Sequence, residues 1–165
     1  MKKIFSIPVF AVLMTSLLSF GFKPLPMTAP LDMYVAPAAD LEKLPEYKKL
    51  LQVDFSSPQA DDLKIKYLIA RVRQSPYKFI RNGEVHTGVR ASLHLVWKYQ
   101  RKTKLVKNVN DFIREIATGS SLSGEPYLIE VSSGVRYQVK DLLTNELRML
   151  EDRLTLKKAA AASKA

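Results

Sequence analysis

The chain has 165 residues, 47% of them hydrophobic, which is room for one modest domain with some additional length and argues against wholesale disorder. Its 26 Lys and Arg outnumber 16 Asp and Glu, and the resulting charge of +10 favours anionic partners. The absence of cysteine excludes disulfides, thiol catalysis and thiolate metal sites, and two histidines are too few for a histidine-rich metal site.

At the N-terminus, Lys2-Lys3 precedes an apolar run from Ile4 to Phe22 that is broken by Pro8, Thr15, Ser16 and Ser19. This pattern reads as a secretory signal peptide over residues 1–21, with Ser19 and Gly21 as the small residues before the cleavage point. The run also approaches the ~20 residues that span a bilayer, so an uncleaved anchor is the alternative reading. Either way the remainder leaves the cytoplasm for the periplasm or cell envelope. Nucleic acid is therefore not an expected partner. An anionic envelope polymer, a lipid headgroup or an envelope protein is, and the membrane itself becomes one only if the N-terminal run is retained.

Residues 22–56 contain Pro24, Pro26, Pro30 and Pro37 without usable periodicity and read as a linker, with a short helix over 41–51 interrupted by Pro45. The globular domain is expected over 57–156. Ser57-Pro58 is an N-cap followed by proline at the first helical position, and Ile65, Leu68, Ile69 and Val72 form an apolar stripe up to Ser75-Pro76. Leu63 and Tyr67 lie off that stripe, which implies a second covered face. The segment "KFIRNGEVH" (78–86) reads as a connector between helices. Phe79 and Ile80 turn inward, and Asn82-Gly83 supplies a positive-φ bend. A helix over about 87–100 follows, with Val89, Leu93, Val96 and Trp97 as its buried face. Arg90, His94, Lys98 and Arg101 fall opposite and, with Lys102, Lys104 and Lys107, form a basic face.

The next helix starts at Asn108, carries Val109, Phe112, Ile113 and Ile116, and is expected to end in a left-handed cap at Gly119. The period then changes. Tyr127, Ile129 and Val131 alternate with Leu128 and Glu130, and Val135, Tyr137 and Val139 with Arg136 and Gln138, across Ser132-Ser133-Gly134, which predicts a β-hairpin. Leu143, Leu147, Leu150 and Leu154 mark a last helix, and residues 157–165 read as a disordered basic and alanine-rich tail. The sum is a small α+β domain of three to four helices packed with one β-hairpin.

With these pieces in order, "FIRNG" (79–83), "HLVWK" (94–98), "DFIREIATGSSLSG" (111–124) and "PYLI" (126–129) stand out, and on them the chain resembles the YfeK-like family of small exported proteobacterial proteins of unknown function. The resemblance spans roughly 65–150. It implies an exported location and a compact single domain, and carries no activity.

Several residues qualify for a ligand or structural site: Arg81, Asn82, Gly83, His86, His94, Ser121, Ser123, Gly124 and Tyr127. A hydrolase reading takes Ser121 or Ser123 as nucleophile and His94 as base. Against it, there is no G-x-S-x-G elbow, and the neighbours of His94 are Arg90, Lys98 and Arg101 rather than a carboxylate. His94 reads instead as a helix-surface residue that fixes the adjoining loop. The two histidines are eight apart, not the four of a helical zinc pair, so neither a metal nor a cofactor is expected. The expected role is a non-catalytic envelope binding or accessory module with a basic face, and the envelope hydrolase is its alternative.

Overall fold

The protein is described by a computed structural model covering residues 27–55, 57–132 and 134–163. The signal-peptide or anchor reading of 1–21 lies outside the described residues.

Helix α2 (Pro58–Gln74) begins as its sequence demands. The Ser57 hydroxyl oxygen accepts from Ala60 N, and Pro58 occupies the first turn, where its missing donor costs nothing. Ile65, Leu68 and Val72 are buried, and so are Leu63 and Tyr67 on the second face. The final helix, α5 (Val139–Ala162), buries Leu143, Leu147, Leu150 and Leu154 as one seam. It continues through the alanine-rich segment, so the expected disordered tail is helical as far as Ala162. Alanine has the highest helix propensity, and α5 is already nucleated upstream.

The linker reading of 22–56 gives way from Met27 onward. Residues 27–37 run as a strap across α5, followed by a short 3-10 helix (Ala38–Lys43) and α1 (Pro45–Leu50). Val35, Leu41 and Leu50 are fully buried, as is the α1 residue Tyr47, and nearby Leu44 is buried too. Proline removes backbone donors but leaves carbonyls, and side chains from the helices satisfy those. Asn145 Nδ2 donates to Pro30 O and Met33 O at 2.8 and 3.0 Å, and Arg148 to Leu31 O at 2.6 Å. Arg71 donates to Ala36 O and Pro37 O at 2.7 and 2.8 Å. The same Arg71 is bound through Nε to Glu146 Oε1 at 2.7 Å, an oxygen that also accepts from the Tyr67 hydroxyl at 2.8 Å. Burial holds the Glu146 carboxyl above its ordinary range, and Arg71, Tyr67 and the Val35 N–H oppose that shift without cancelling it.

One hairpin becomes two. Strands β1 (Lys78–Arg81), β2 (Glu84–His86), β3 (Leu128–Glu130) and β4 (Arg136–Gln138) form an antiparallel sheet in the order β2-β1-β3-β4. The connector reading of "KFIRNGEVH" is thus overturned. Asn82 (φ 51°) and Gly83 (φ 81°) form the tip of the β1–β2 hairpin, and both central residues lie in the left-handed region that a type I′ turn needs. The alternation that would reveal β1 is missing because Phe79 and Ile80, which point to opposite faces, are both buried. The β3–β4 hairpin turns through Gly134 (φ 77°) as expected, with Tyr127, Ile129, Val131, Tyr137 and Val139 buried.

Helix α3 (Gly88–Arg101) presents the opposite face from the one expected. Gly88, Ser92, Leu95 and Lys98 are buried, whereas Val89, Leu93 and Trp97 are about half exposed, at 48%, 59% and 51%. Small residues decide this. A Cβ on Gly88 would lie 2.3 Å from Val72 O, so the start of α3 abuts the end of α2 only because there is none. Ser92 Oγ returns its hydrogen bond to Val89 O. Lys98 Nζ donates to Ile116 O and Gly119 O at 2.8 and 2.6 Å, at the end of the next helix. That helix, α4, starts at the Asn108 cap as Val109–Asp111 and widens into a π-turn over Phe112–Ile116. Val109, Phe112, Ile113 and Ile116 are all buried as expected. Gly119 is not the left-handed cap. Its φ is not positive, and it is glycine because a Cβ would lie 2.7 Å from Glu125 O. Lys98 caps the carbonyls instead. The α+β class holds, with five helices and four strands among the described residues.

Candidate functional site

Because α3 turns its apolar stripe outward, a cleft of about 510 Å³ opens between that stripe and the β1–β2 hairpin and β3. Ile80, Leu93, Trp97 and Leu128 supply apolar wall, and Arg81, Glu84, His86, Arg90, His94 and Tyr127 supply polar groups. A sequence signal for this arrangement is the pair of small residues Gly88 and Ser92, four apart on the face that packs closely. The larger stripe of Val89, Leu93 and Trp97 outweighed it.

Three side chains converge inside the cleft. Arg81, the last residue of β1, places Nη1 2.8 Å from His94 Nδ1 and 3.1 Å from Nε2. The His94 Nε2 lies 3.0 Å from the Tyr127 hydroxyl. A guanidinium has only donors, so the imidazole nitrogen nearest it must accept. This assigns the lone pair to Nδ1 and the proton to Nε2, which then donates to the Tyr127 oxygen. Burial, and after it the charges of Arg81 and Lys98, push the His94 pKa down to about 4, so the ring is neutral at pH 7. The ring faces the cleft rather than the open helix surface expected of it. Burial likewise raises the Tyr127 phenol and lowers Lys98 to about 8. Trp97 stacks near His94 with ring centroids 5.7 Å apart, and the Arg101 guanidinium lies 4.0 Å from the Trp97 ring.

The remaining site residues separate. His86 lines the cleft, with Nε2 3.7 Å from Glu84 Oε2, too long for a hydrogen bond. Ser123 Oγ donates to Asn82 Oδ1 at 2.8 Å, joining the serine loop to the hairpin tip on the outer surface. Gly124 (φ 72°) turns that loop. Ser121 faces away from the cleft and accepts from Lys102 Nζ at 2.8 Å. Among the described residues neither serine is a hydrogen-bond partner of His94 and no carboxylate orients the ring, so the geometry lacks the parts of a triad. The basic face also disperses. Lys98 is buried and Lys102 holds Ser121, while the exposed residues separate: Arg90 borders the cleft, Arg101 covers Trp97, and Lys104 and Lys107 lie on the following loop.

Among the described residues no group of three or more His, Cys, Asp or Glu side chains is placed to hold a metal ion, and no helix is long and apolar enough to cross a membrane. No curated protein and no solved structure matches the chain. A family model described as a family of unknown function, DUF5329, matches residues 59–151, which run from the first turn of α2 through most of α5 and include every residue of the Arg81–His94–Tyr127 trio; the chain belongs to that family.

Proposed function

We propose that the protein is an exported cell-envelope binding module, akin to the YfeK-like proteins, that acts without covalent chemistry and holds its ligand in the cleft between α3 and the sheet. The observation that carries this reading is the cleft itself: about 510 Å³ of largely apolar wall on which Arg81, His94 and Tyr127 converge. Binding sites for small molecules have this character, with apolar walls and a few placed polar groups. Lys2-Lys3 and the apolar run behind it support export. The positive excess supports an anionic partner in the envelope, with Arg90 and Arg101 at the cleft rather than a continuous basic face.

Both halves of the reading are testable. Expressed in a Gram-negative host, the full chain is expected in the envelope fraction, and exclusive recovery from the cytosol would overturn the export half. The chain has a single tryptophan and it lines the cleft, so Trp97 emission reports occupancy directly. Fractionated small-molecule extracts of the envelope are expected to shift that emission saturably, with the shift lost in Leu93→Asp. No saturable shift from any fraction would remove the binding half.

A further inference from the structure

Arg81 carries a charge that the protein does not neutralise. Among the described residues no carboxylate pairs with it, and its hydrogen-bond partner is the uncharged His94 ring. Its Nε, together with His86 Nε2 in the same cleft, is buried and makes no hydrogen bond. Polar nitrogens left this way cost free energy unless something else supplies acceptors. The nearest acid in the wall, Glu84, is 74% exposed and turns toward His86. Arg90 adds a second guanidinium to the lining, and Lys98 stands behind Tyr127 with its amine 5.2 Å from that ring. The electrostatic demand of the cleft is therefore for an anion.

The rest of the wall makes the opposite demand. Leu93 and Trp97 are more than half exposed, and Ile80 and Leu128 continue the apolar surface inward. Phosphate alone, or a hydroxyl-rich sugar, would leave that surface wet, whereas an apolar body would cover it. We infer that the cleft binds a small amphipathic carboxylate, an acyl or aryl acid, with its carboxylate at Arg81 and its apolar body along Leu93, Trp97, Ile80 and Leu128. A guanidinium recognises a planar carboxylate by charge-assisted hydrogen bonds that strengthen in a partly dry site. The inference rests on the cleft being the ligand site.

The test is titration of the full chain, by Trp97 emission and by calorimetry, with decanoate and naphthoate below their aggregation limits. The matched alcohols, decanol and naphthylmethanol, and inorganic phosphate serve as comparators. At least one carboxylate is expected to bind saturably and about tenfold or more tightly than its alcohol, and which one does so separates acyl from aryl recognition. Arg81→Met is expected to erase that preference with circular dichroism unchanged, Arg81→Lys to retain part of it, and Leu156→Ser, far along α5, to leave it intact. Equal binding of acid and alcohol, or a preference that survives Arg81→Met, would overturn the carboxylate assignment while leaving the cleft as an apolar ligand site. Phosphate binding as tightly as either acid would overturn the apolar half. Absence of any binding of either acid, by calorimetry as well as emission, would overturn the inference, whereas the binding-site reading falls only if the envelope fractions also fail to shift Trp97 emission.

Discussion

Two arginines ten residues apart show how this molecule separates structure from site. Arg71 is sealed between α2 and α5 at 1% exposure and is held by partners of the chain itself: a carboxylate on Nε and two strap carbonyls on Nη2. Arg81, at the tip of β1, is only partly buried, meets a neutral ring, and leaves Nε without an acceptor. A buried charge paired with a carboxylate and bound to the chain's own carbonyls holds a fold together. A half-buried charge with donors to spare is available to something that is not part of the chain.

The largest expected effect tests the sealed side. Arg71→Met leaves Glu146 buried without its cation and orphans Ala36 O and Pro37 O, which should cost about 3–5 kcal/mol in chemical denaturation. Faster amide exchange should appear first in residues 27–37. Adding Glu146→Leu should recover much of the loss, since a pair removed together leaves no stranded charge. If Arg71→Met proved neutral, the contrast between the two arginines would collapse.

The next effect lies between the two regions. Lys98→Met removes the donor to Ile116 O and Gly119 O while keeping the aliphatic length, and should cost about 2–3 kcal/mol from two unsatisfied carbonyls. Because those carbonyls end the helix that leads into the serine loop, loss of order should show in residues 117–126 before it reaches α2. A uniform loss instead would mean that Lys98 acts mainly as packing.

A smaller effect is set by pH. His94 has a folded pKa of about 4, below the ordinary 6.5, so the unfolded chain binds the proton more tightly. Its contribution is fully present above pH 6.5 and is lost as pH falls toward 4, by about 2 kcal/mol after discounting for the partial exposure of the ring. The measurement is denaturant midpoint against pH for the natural chain and for His94→Gln. The variant should show a flatter profile between pH 4 and 6.5, and an unchanged slope would reassign the dependence to another group.

The smallest expected effect is the most diagnostic. Arg81→Met should change stability by less than about 1 kcal/mol in either direction, because it removes an incompletely satisfied charge along with one hydrogen bond. A loss as large as that for Arg71→Met would make Arg81 a structural clamp rather than a site residue.

Local chemistry made much of the fold legible. Ser57-Pro58, the Asn108 cap, the leucine seam of α5 and the alternation around Gly134 each pair a strong pattern with a local cause, and each appears where its residues predict. Other elements were hidden for identifiable reasons. The β1–β2 hairpin has strands of four and three residues, too short for a period, and one of them is buried on both faces. The strap offers no hydrophobic repeat, since its order comes from Asn145, Arg148 and Arg71 donating to its carbonyls across more than thirty residues of sequence. Of the site, Arg81, His94 and Tyr127 were recognisable as residue types worth testing, but their convergence was not visible, and the exposure of Trp97 was read in reverse.

By itself, then, the sequence determined the segments whose cause is local, namely caps, turns, the long amphipathic helices and the positive charge of the chain, together with the small-residue spacing on α3 that was present but outweighed. The rotation of α3, and with it the cleft, was decided by tertiary structure. Which of two helix faces is buried depends on what the other elements offer. Here α2 offers a surface close enough to require Gly88, and the end of α4 offers two carbonyls that hold a buried lysine amine. Those non-local partners outweighed the apolar stripe, turned Leu93 and Trp97 outward, and left Arg81 facing a cleft.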